Sequence, residues 1–137
     1  FRSLQGSSQV GYFQSMRNQL ETRNGQLWVL GGDFNSITAD SQPHWDSGNP
    51  LDMSAPDISA PTRKSLDTRA LSTHGRRFLE TLADLGLILN GLQQLNFDEG
   101  FTRLPRRAAD CAGVIDYVVC CPRLLQSMCS RCLTILD

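Results

Sequence analysis

The sequence predicts an α/β fold, in which amphipathic helices alternate with short apolar strands. Apolar residues recur every three or four positions over residues 8–23 and again over residues 73–85, a spacing that is typical of helices with one buried face. Each predicted helix is followed closely by an apolar run, at residues 27–31 and 87–89, and a third run occupies residues 114–120. A helix next to a buried strand is the repeating unit of α/β proteins.

The ends of both predicted helices carry residues that commonly cap helices. Ser7 or Ser8 can accept hydrogen bonds from the first free N–H groups of the first helix, and Gly25 follows its last turn. For the second helix we expect Thr73 as the cap and Gly86 as the residue just past the end.

The remaining segments predict shorter elements and one long loop. We expect a short strand at residues 101–102, a helical turn at 122–125 and a last strand at 132–136. Ser, Asp, Asn and Pro dominate residues 36–68, which predicts a long surface loop. Trp45 on this loop either stacks on a nucleic-acid base or covers the local core.

Length and charge set limits on the class of protein. The chain of 137 residues predicts a single domain over 1–137, and it contains no apolar run of about 18 residues that would span a membrane. The net charge of −1 argues against a general binder of polyanions. However, residues 1–60 carry three Arg and six acids, whereas residues 61–137 carry ten Lys or Arg and eight acids. Twelve of the thirteen bases are Arg, which suits phosphate binding, although most are expected on the solvated surface.

Five cysteines lie within the last 27 residues, at positions 111, 120, 121, 129 and 132. An odd and clustered set is unlike a secreted disulfide framework, so we expect free thiols in an intracellular compartment, nuclear or cytoplasmic. The CxxC spacing of Cys129 and Cys132 leaves a zinc site as a less favoured alternative, because a second CxxC and clustered His are missing.

Residues 27–35, LWVLGGDFN, end a predicted buried strand with a carboxylate and a carboxamide. Residues two apart in an extended backbone point the same way, so Asp33 and Asn35 should face one point and Phe34 the opposite side. A hard anionic oxygen beside a neutral amide suits a magnesium-assisted site that cleaves phosphate esters. The alternative is an ordinary strand-to-loop turn, in which Gly, Asp and Asn are common.

A second acid, Asp116, stands inside the apolar segment VIDYVV at residues 114–119. A buried acid must be paired, protonated or bound to a metal, which makes Asp116 a candidate site residue. Taken in order, the motifs GGDFNS, GLILNG, GFTR and VIDYVV resemble the endonuclease/exonuclease/phosphatase superfamily, and within it the endonuclease domain of non-LTR (LINE-type) retrotransposons. The resemblance spans about residues 10 to 125, most of the chain, and it covers only the C-terminal half of the superfamily domain, truncated at both ends.

The resemblance implies both a fold and an activity. Domains of this superfamily pack two sheets face to face with helices outside, so we expect half, or part, of a four-layer α/β sandwich with a mixed sheet flanked by helices. The implied activity is metal-dependent phosphodiester hydrolysis that nicks DNA, with Mg²⁺ as the cofactor and Mn²⁺ as an alternative. RNA, nucleotides and lipid phosphates stay open as other substrates.

The resemblance also assigns catalytic roles. Asp33 corresponds to the Asp that orients or deprotonates the attacking water or lies close to the metal, and Asn35 to the Asn that donates to a phosphate oxygen. Asp116 corresponds to an Asp that accepts a hydrogen bond from a His. We expect these three side chains to converge on one solvent-reachable pocket at the carboxyl ends of neighbouring strands.

Four more residues are candidates for substrate binding. Thr102 corresponds to a Thr near the phosphate, whose hydroxyl would bond a backbone oxygen, although an ordinary strand Thr is an equal alternative. Arg103, Arg106 and Arg107 place three positive charges within five residues, which suits the DNA backbone or, alternatively, a solvated turn. Asn90 is expected only to cap the turn that follows its strand.

The chain also departs from the family pattern. The metal-binding Glu and the terminal Ser-Asp-His are missing, so Asp33 is the only candidate metal ligand, and His44 and His74 lie elsewhere. We therefore expect a piece of a longer protein with little or no nuclease activity of its own. A degenerate, non-catalytic remnant and an α/β fold without a site are the other readings.

A missing sheet would also have a physical consequence for the half that is present. The inner face of the remaining sheet would lack its cover, and we expect residues such as Leu27, Val29, Ile115 or Tyr117 to form an uncovered apolar patch.

Overall fold

The computed structural model describes residues 7–44, 62–93, 100–105, 107 and 112–128. The elements, in chain order, are helix α1 (Ser7–Thr22), strand β1 (Val29–Asp33), helix α2 (Thr73–Leu82), strand β2 (Leu87–Ile88), strand β3 (Asp116–Cys120) and helix α3 (Pro122–Met128). Outside the described residues lie the predicted strand at 132–136, the CxxC pair, Trp45, Arg106 and much of the predicted loop at 36–68. Within the described ranges, no helix has the length and apolar character needed to cross a membrane.

The sheet has three strands in the order β1–β3–β2, and both ladders are antiparallel. β3 is therefore the central strand; its register pairs Val29 with Cys120 and Asp33 with Asp116. The predicted fold class is confirmed, since helices accompany a small sheet as in part of an α/β domain. The ladders that the described residues form include no parallel pair of the expected mixed sheet.

Two strands begin two residues later than their apolar runs predict. β1 starts at Val29 rather than at residue 27, and β3 starts at Asp116 rather than at residue 114. The prediction of a buried first strand is wrong, because Leu27 and Val29 are each 60% exposed. An apolar run indicates burial only when a neighbouring layer covers it, and the core lies on the other face of β1.

The main hydrophobic core joins α1 and α2 to one face of the sheet. The predicted periodicity of α1 is confirmed, because its apolar residues Phe13, Met16 and Leu20 are buried. On α2, Phe78 and Leu82 face the same core and are fully buried. The two helices thus cover one face of the sheet, as the 3.6-residue period of their apolar residues requires.

Alternate residues of β3 enter two different clusters. Tyr117 and Val119 join the helix-side core, whereas Cys120 packs on the opposite face with a second cluster that includes Leu125 of α3. Phe34, just past β1, points to the helix side and stacks on Phe78 with ring centroids 4.4 Å apart. The two-residue period of an extended strand therefore fixes which β3 side chains face the helices.

The N-terminus of α2 is capped by Ser72 rather than by Thr73. The Ser72 Oγ accepts a hydrogen bond from the Gly75 N–H at 2.9 Å and another from the Ile37 N–H at 3.1 Å. A Cβ at position 75 would collide with the Ile37 carbonyl, so Gly75 permits this close approach. The start of α2 thus anchors the loop that follows β1.

The C-terminus of α2 also differs from its prediction. The helix ends at Leu82, and Asp84, not Gly86, adopts the left-handed conformation with φ 59°. Gly86 has a packing role instead, because a Cβ there would clash with the Trp28 ring. A glycine after a helix has more than one use, which the local pattern does not distinguish.

Two of the four residues expected to form an uncovered apolar patch, Leu27 and Val29, are exposed at the start of β1. Leu27 and Val29 are largely exposed there, beside a cavity of about 540 Å³ between α1 and β1. The expectation is wrong for Tyr117, which is buried because it faces the helices, and Ile115 is half-buried. β1 is an edge strand, and the backbone N–H and C=O of Val29 point away from β3. The exposed Val29 side chain therefore lies on an edge with which no described strand pairs.

We expect the substitution Val29→Lys to reduce self-association of the chain, because a charge on an exposed edge strand opposes edge-to-edge pairing. Light scattering against concentration measures the effect, and the free energy of unfolding should change by less than about 0.5 kcal/mol. Leu104→Lys is the matched control, since Leu104 is 73% exposed but lies outside the sheet. Equal effects of both variants would contradict an association through β1.

Candidate active site

Asp33 and Asp116 stand directly opposite each other in the sheet. They are cross-strand partners in the β1–β3 register, so their side chains project from the same face. The next pair, Phe34 and Ile115, carries a ladder hydrogen bond of 3.0 Å, which makes Asp33 and Asp116 a non-hydrogen-bonded pair, the type with the closer side chains. Asp33 is exposed and Asp116 half-buried, so both carboxylates are accessible to solvent.

This placement corrects two expectations. Asp116 is not sealed in the core, because it begins β3 at the outer face of the sheet. The two acids also do not lie at the carboxyl ends of neighbouring strands. Asp33 ends β1 whereas Asp116 begins β3, and an antiparallel ladder brings one carboxyl end beside one amino end.

The turn after β1 is not extended. Asn35 adopts a left-handed conformation with φ 47°, and its N–H donates to the Asp33 Oδ1 at 2.8 Å. The rule that residues two apart point the same way therefore fails here, because it requires extended backbone throughout. Phe34 does face the opposite side, as predicted, and is buried. The Asp33 side chain thus closes an Asx-type turn, in which both Asp33 and Asn35 are exposed. Asn tolerates the left-handed conformation better than most residues.

Thr102 holds the backbone at the start of β3. Its Oγ1 accepts hydrogen bonds from the Ile115 N–H at 2.9 Å and the Asp116 N–H at 3.1 Å. Both acceptor positions of the hydroxyl are thus occupied, and its own hydrogen is available to donate. The expected strand at residues 101–102 is reduced to a single bridge between Arg103 and Gly113. Even so, the bridge brings Thr102 next to Asp116.

An exposed segment with arginines adjoins this bridge. The segment comprises residues 101–107, of which residues 101–105 and 107 are described and all exposed. They include Arg103 and Arg107, together with the apolar side chains of Phe101 and Leu104. Arg103 exchanges backbone hydrogen bonds of 2.9 Å with Gly113, three residues before Asp116. Positive charge is therefore placed at the same end of the sheet as the two acids, whereas Arg106 lies outside the described residues.

Asn90 has a different role from the predicted turn cap. The side chain is only 4% exposed; its Nδ2 donates to the Asp116 carbonyl at 3.1 Å and its Oδ1 accepts from the Val118 N–H at 2.8 Å. β2 ends at Ile88, and the Leu89 N–H still donates to the Val118 carbonyl at 2.8 Å, so this carboxamide extends the bonding beside β3 past the end of the strand. A polar residue that ends the apolar run LILN was the only sequence signal for it.

Asp67 is a second residue that the sequence pattern missed, because it falls in the predicted loop. Its Oδ2 accepts the Val114 N–H at 2.9 Å and pairs with the Arg69 Nη2 at 2.7 Å. Burial raises the pKa of this carboxyl, but hydrogen bonds from the Arg69 side chain and from the Val114 and Arg69 N–H groups more than offset it, so the pKa lies below its ordinary value. Asp67 thereby anchors the chain just before β3.

The cysteines that the structure describes do not contribute to the site. Cys120 and Cys121 are free thiols and both are buried. Burial and the neighbouring Cys121 raise the pKa of Cys120 to about 12, so this thiol stays protonated and unreactive at neutral pH.

Asp33 and Asp116 supply two carboxylates, a type of ligand that magnesium ions bind. Mg²⁺ in proteins is commonly held by one or two carboxylates, with water and phosphate oxygens completing its octahedron. Two facing carboxylates supply such oxygens and also repel each other, a repulsion that a bound cation relieves. Among the described residues, no group of three or more His, Cys, Asp or Glu could hold a metal, so any ion here relies on these two acids and on solvent.

No protein-family model, no curated protein and no solved structure matches this chain. The resemblance of its motifs to the endonuclease/exonuclease/phosphatase superfamily therefore stays a prediction.

We expect Thr102→Val to destabilise the start of β3, because two backbone N–H groups lose their acceptor. The expected cost is about 1 kcal/mol in urea unfolding, with faster hydrogen exchange at the Ile115 and Asp116 amides. Thr68→Val is the control, since Thr68 is an exposed residue of the same type. Unchanged exchange at both amides would show that Thr102 does not hold this segment.

Asp67 should make stability depend on acid. Because its pKa is lowered on folding, its contribution is present above the ordinary carboxyl pKa of 3.8 and is lost as the pH falls through the lower, folded value. We expect Asp67→Asn to cost about 2 kcal/mol at pH 7 and less as the pH approaches 3. Urea unfolding of both proteins at pH 7, 5 and 3 tests this, and a constant difference would refute it.

Proposed function

We propose that this chain carries part of a metal-dependent phosphodiesterase site, from the C-terminal half of a DNA-nicking endonuclease domain of the non-LTR retrotransposon type. The observation that carries the proposal is the direct cross-strand pairing of Asp33 with Asp116. Two segments that are far apart in the sequence supply carboxylates to one solvent-exposed position.

Each residue of the proposed site has a chemical task that its hydrogen bonds allow. Asp33 uses Oδ1 to accept the Asn35 N–H, which leaves Oδ2 either to orient or deprotonate an attacking water or to bind the metal. The Asn35 carboxamide is exposed and donates to a phosphoryl oxygen without adding negative charge. The Thr102 hydroxyl, already fixed as an acceptor, donates its hydrogen to the same phosphate group.

A magnesium ion supplies charge relief at the phosphoryl oxygens when it is bound. Asp33 and Asp116 are the residues that would hold it. Asp116 takes part in cation binding in place of an orienting role, because the register sets its carboxylate opposite that of Asp33. Arg103 and Arg107 contact backbone phosphates of the nucleic acid, which positions the substrate without reading its sequence.

We expect Asp33→Ala to abolish Mg²⁺-dependent nicking of supercoiled plasmid by the purified chain. The loss of a group that acts in the transition state costs about 10²–10³ in rate, whereas Glu80→Ala, which removes an exposed acid on α2, should leave the rate unchanged. The wild-type rate itself should be low. Rapid nicking that survives Asp33→Ala would contradict the proposal.

A measurement independent of turnover is Mn²⁺ binding. Paramagnetic Mn²⁺ should broaden the amide resonances of Asp33, Asn35 and Asp116 before those of other residues, and Asp116→Asn should weaken the binding about tenfold. Broadening that starts elsewhere, or binding that does not respond to Asp116→Asn, would exclude this pair as the metal site. Competition by a DNA duplex, an RNA hairpin and a phosphoinositide would then identify the substrate class.

A further inference from the structure

Arg63 is a buried arginine that lies between two arms of the proposed site. One arm is the loop that follows Asn35, and the other is Asn90 with the start of β3 at Asp116. The side chain is 5% exposed, and its guanidinium carbon lies 5.8 Å from the centre of the Tyr117 ring. Nε donates to the Asn90 carbonyl at 2.8 Å, and Nη1 donates to the Thr38 Oγ1 at 3.0 Å and to the Ser41 carbonyl. One planar cation thus bonds to two separate segments.

The first segment leads to the turn that bears Asp33 and Asn35. Thr38, which accepts from Arg63, donates its own N–H to the Tyr117 hydroxyl at 3.3 Å. That hydroxyl lies 2.8 Å from the Ser36 carbonyl, the residue directly after Asn35. Ser36 and Thr38 are fully buried, so this loop is held from within the protein and not by solvent.

The second segment leads to Asp116. Asn90 accepts from Arg63 through its carbonyl, and its carboxamide bonds to the Asp116 carbonyl and to the Val118 N–H. The path from the guanidinium to the backbone of Asp116 therefore passes through a single residue. An arginine suits this task because its rigid fork donates in several fixed directions at once, which a lysine ammonium does not.

We propose that Arg63 is a positioning residue of the site: it sets the placement of the Asp33–Asn35 turn relative to Asp116. This inference rests on the proposed function for its consequence, but its structural content can be tested without catalysis. Removal of a residue that orients metal ligands without touching the metal commonly weakens metal binding 10- to 100-fold.

The test compares wild type with Arg63→Ala and Arg63→Lys by amide hydrogen exchange. We expect Arg63→Ala to accelerate exchange at Thr38 and Val118 about tenfold, one amide in each arm, while the Leu82 amide of α2 keeps its rate. Ethylguanidinium at low millimolar concentration should restore slow exchange in Arg63→Ala, and ethylammonium should not. Arg63→Lys should behave like the alanine variant, and it decides the question if the alanine variant does not fold.

The matched control is Arg76→Ala, which removes an exposed arginine from α2 and should change neither amide. Uniform acceleration of all core amides without rescue by ethylguanidinium would overturn the proposal, because Arg63 would then stabilise the fold in general. The Mn²⁺ titration separates the two hypotheses. No broadening at Asp33 and Asp116 in wild type refutes the metal chemistry alone, whereas wild-type affinity in Arg63→Lys refutes the positioning role.

Discussion

The antiparallel register between β1 and β3 is the constraint on which the candidate site depends. It places Asp33 opposite Asp116 on one face, and a slip of one residue would turn one of the two acids towards the helices. Packing holds the register, because Phe34 and Tyr117 alternate onto the helix side and both contact the buried Phe78 ring. The hydrophobic core of the molecule and the placement of its acids are therefore consequences of the same pairing.

The start of β3 shows how the fold satisfies backbone groups where the sheet ends. β2 is only two residues long, so the backbone of β3 near Asp116 extends past its neighbour. Side chains take over the bonds that a longer strand would have made: Thr102 accepts two N–H groups, and Asn90 donates to the Asp116 carbonyl. Backbone groups at the end of a sheet need partners outside the ladder, and here the same partners hold the backbone of the acid that the proposed chemistry uses.

Two features of the site work against stability. The acids repel each other across the ladder, and Asn35 occupies a left-handed conformation beside them. A hydrogen-bonded network on the buried side holds the backbone and offsets this cost. In it, Arg63 joins both arms of the site and Tyr117 bonds to the loop after Asn35. A binding site commonly combines local strain of this kind with rigid support behind it.

The sequence by itself determined the helices, their buried faces and the motif residues, since these depend on local periodicity and on the chemistry of single side chains. It placed β1, β2 and β3 within two residues of their observed bounds, although the strand predicted at 101–102 is only a bridge at Arg103, and it marked Asp33 and Asp116 as candidate site residues. Only the tertiary structure decided that the two strands run antiparallel, that Asn35 leaves the extended conformation, and that Asn90 and Arg63 support the site from behind. These features depend on partners far away in the chain, and local patterns carry no record of which distant backbone group a side chain will meet.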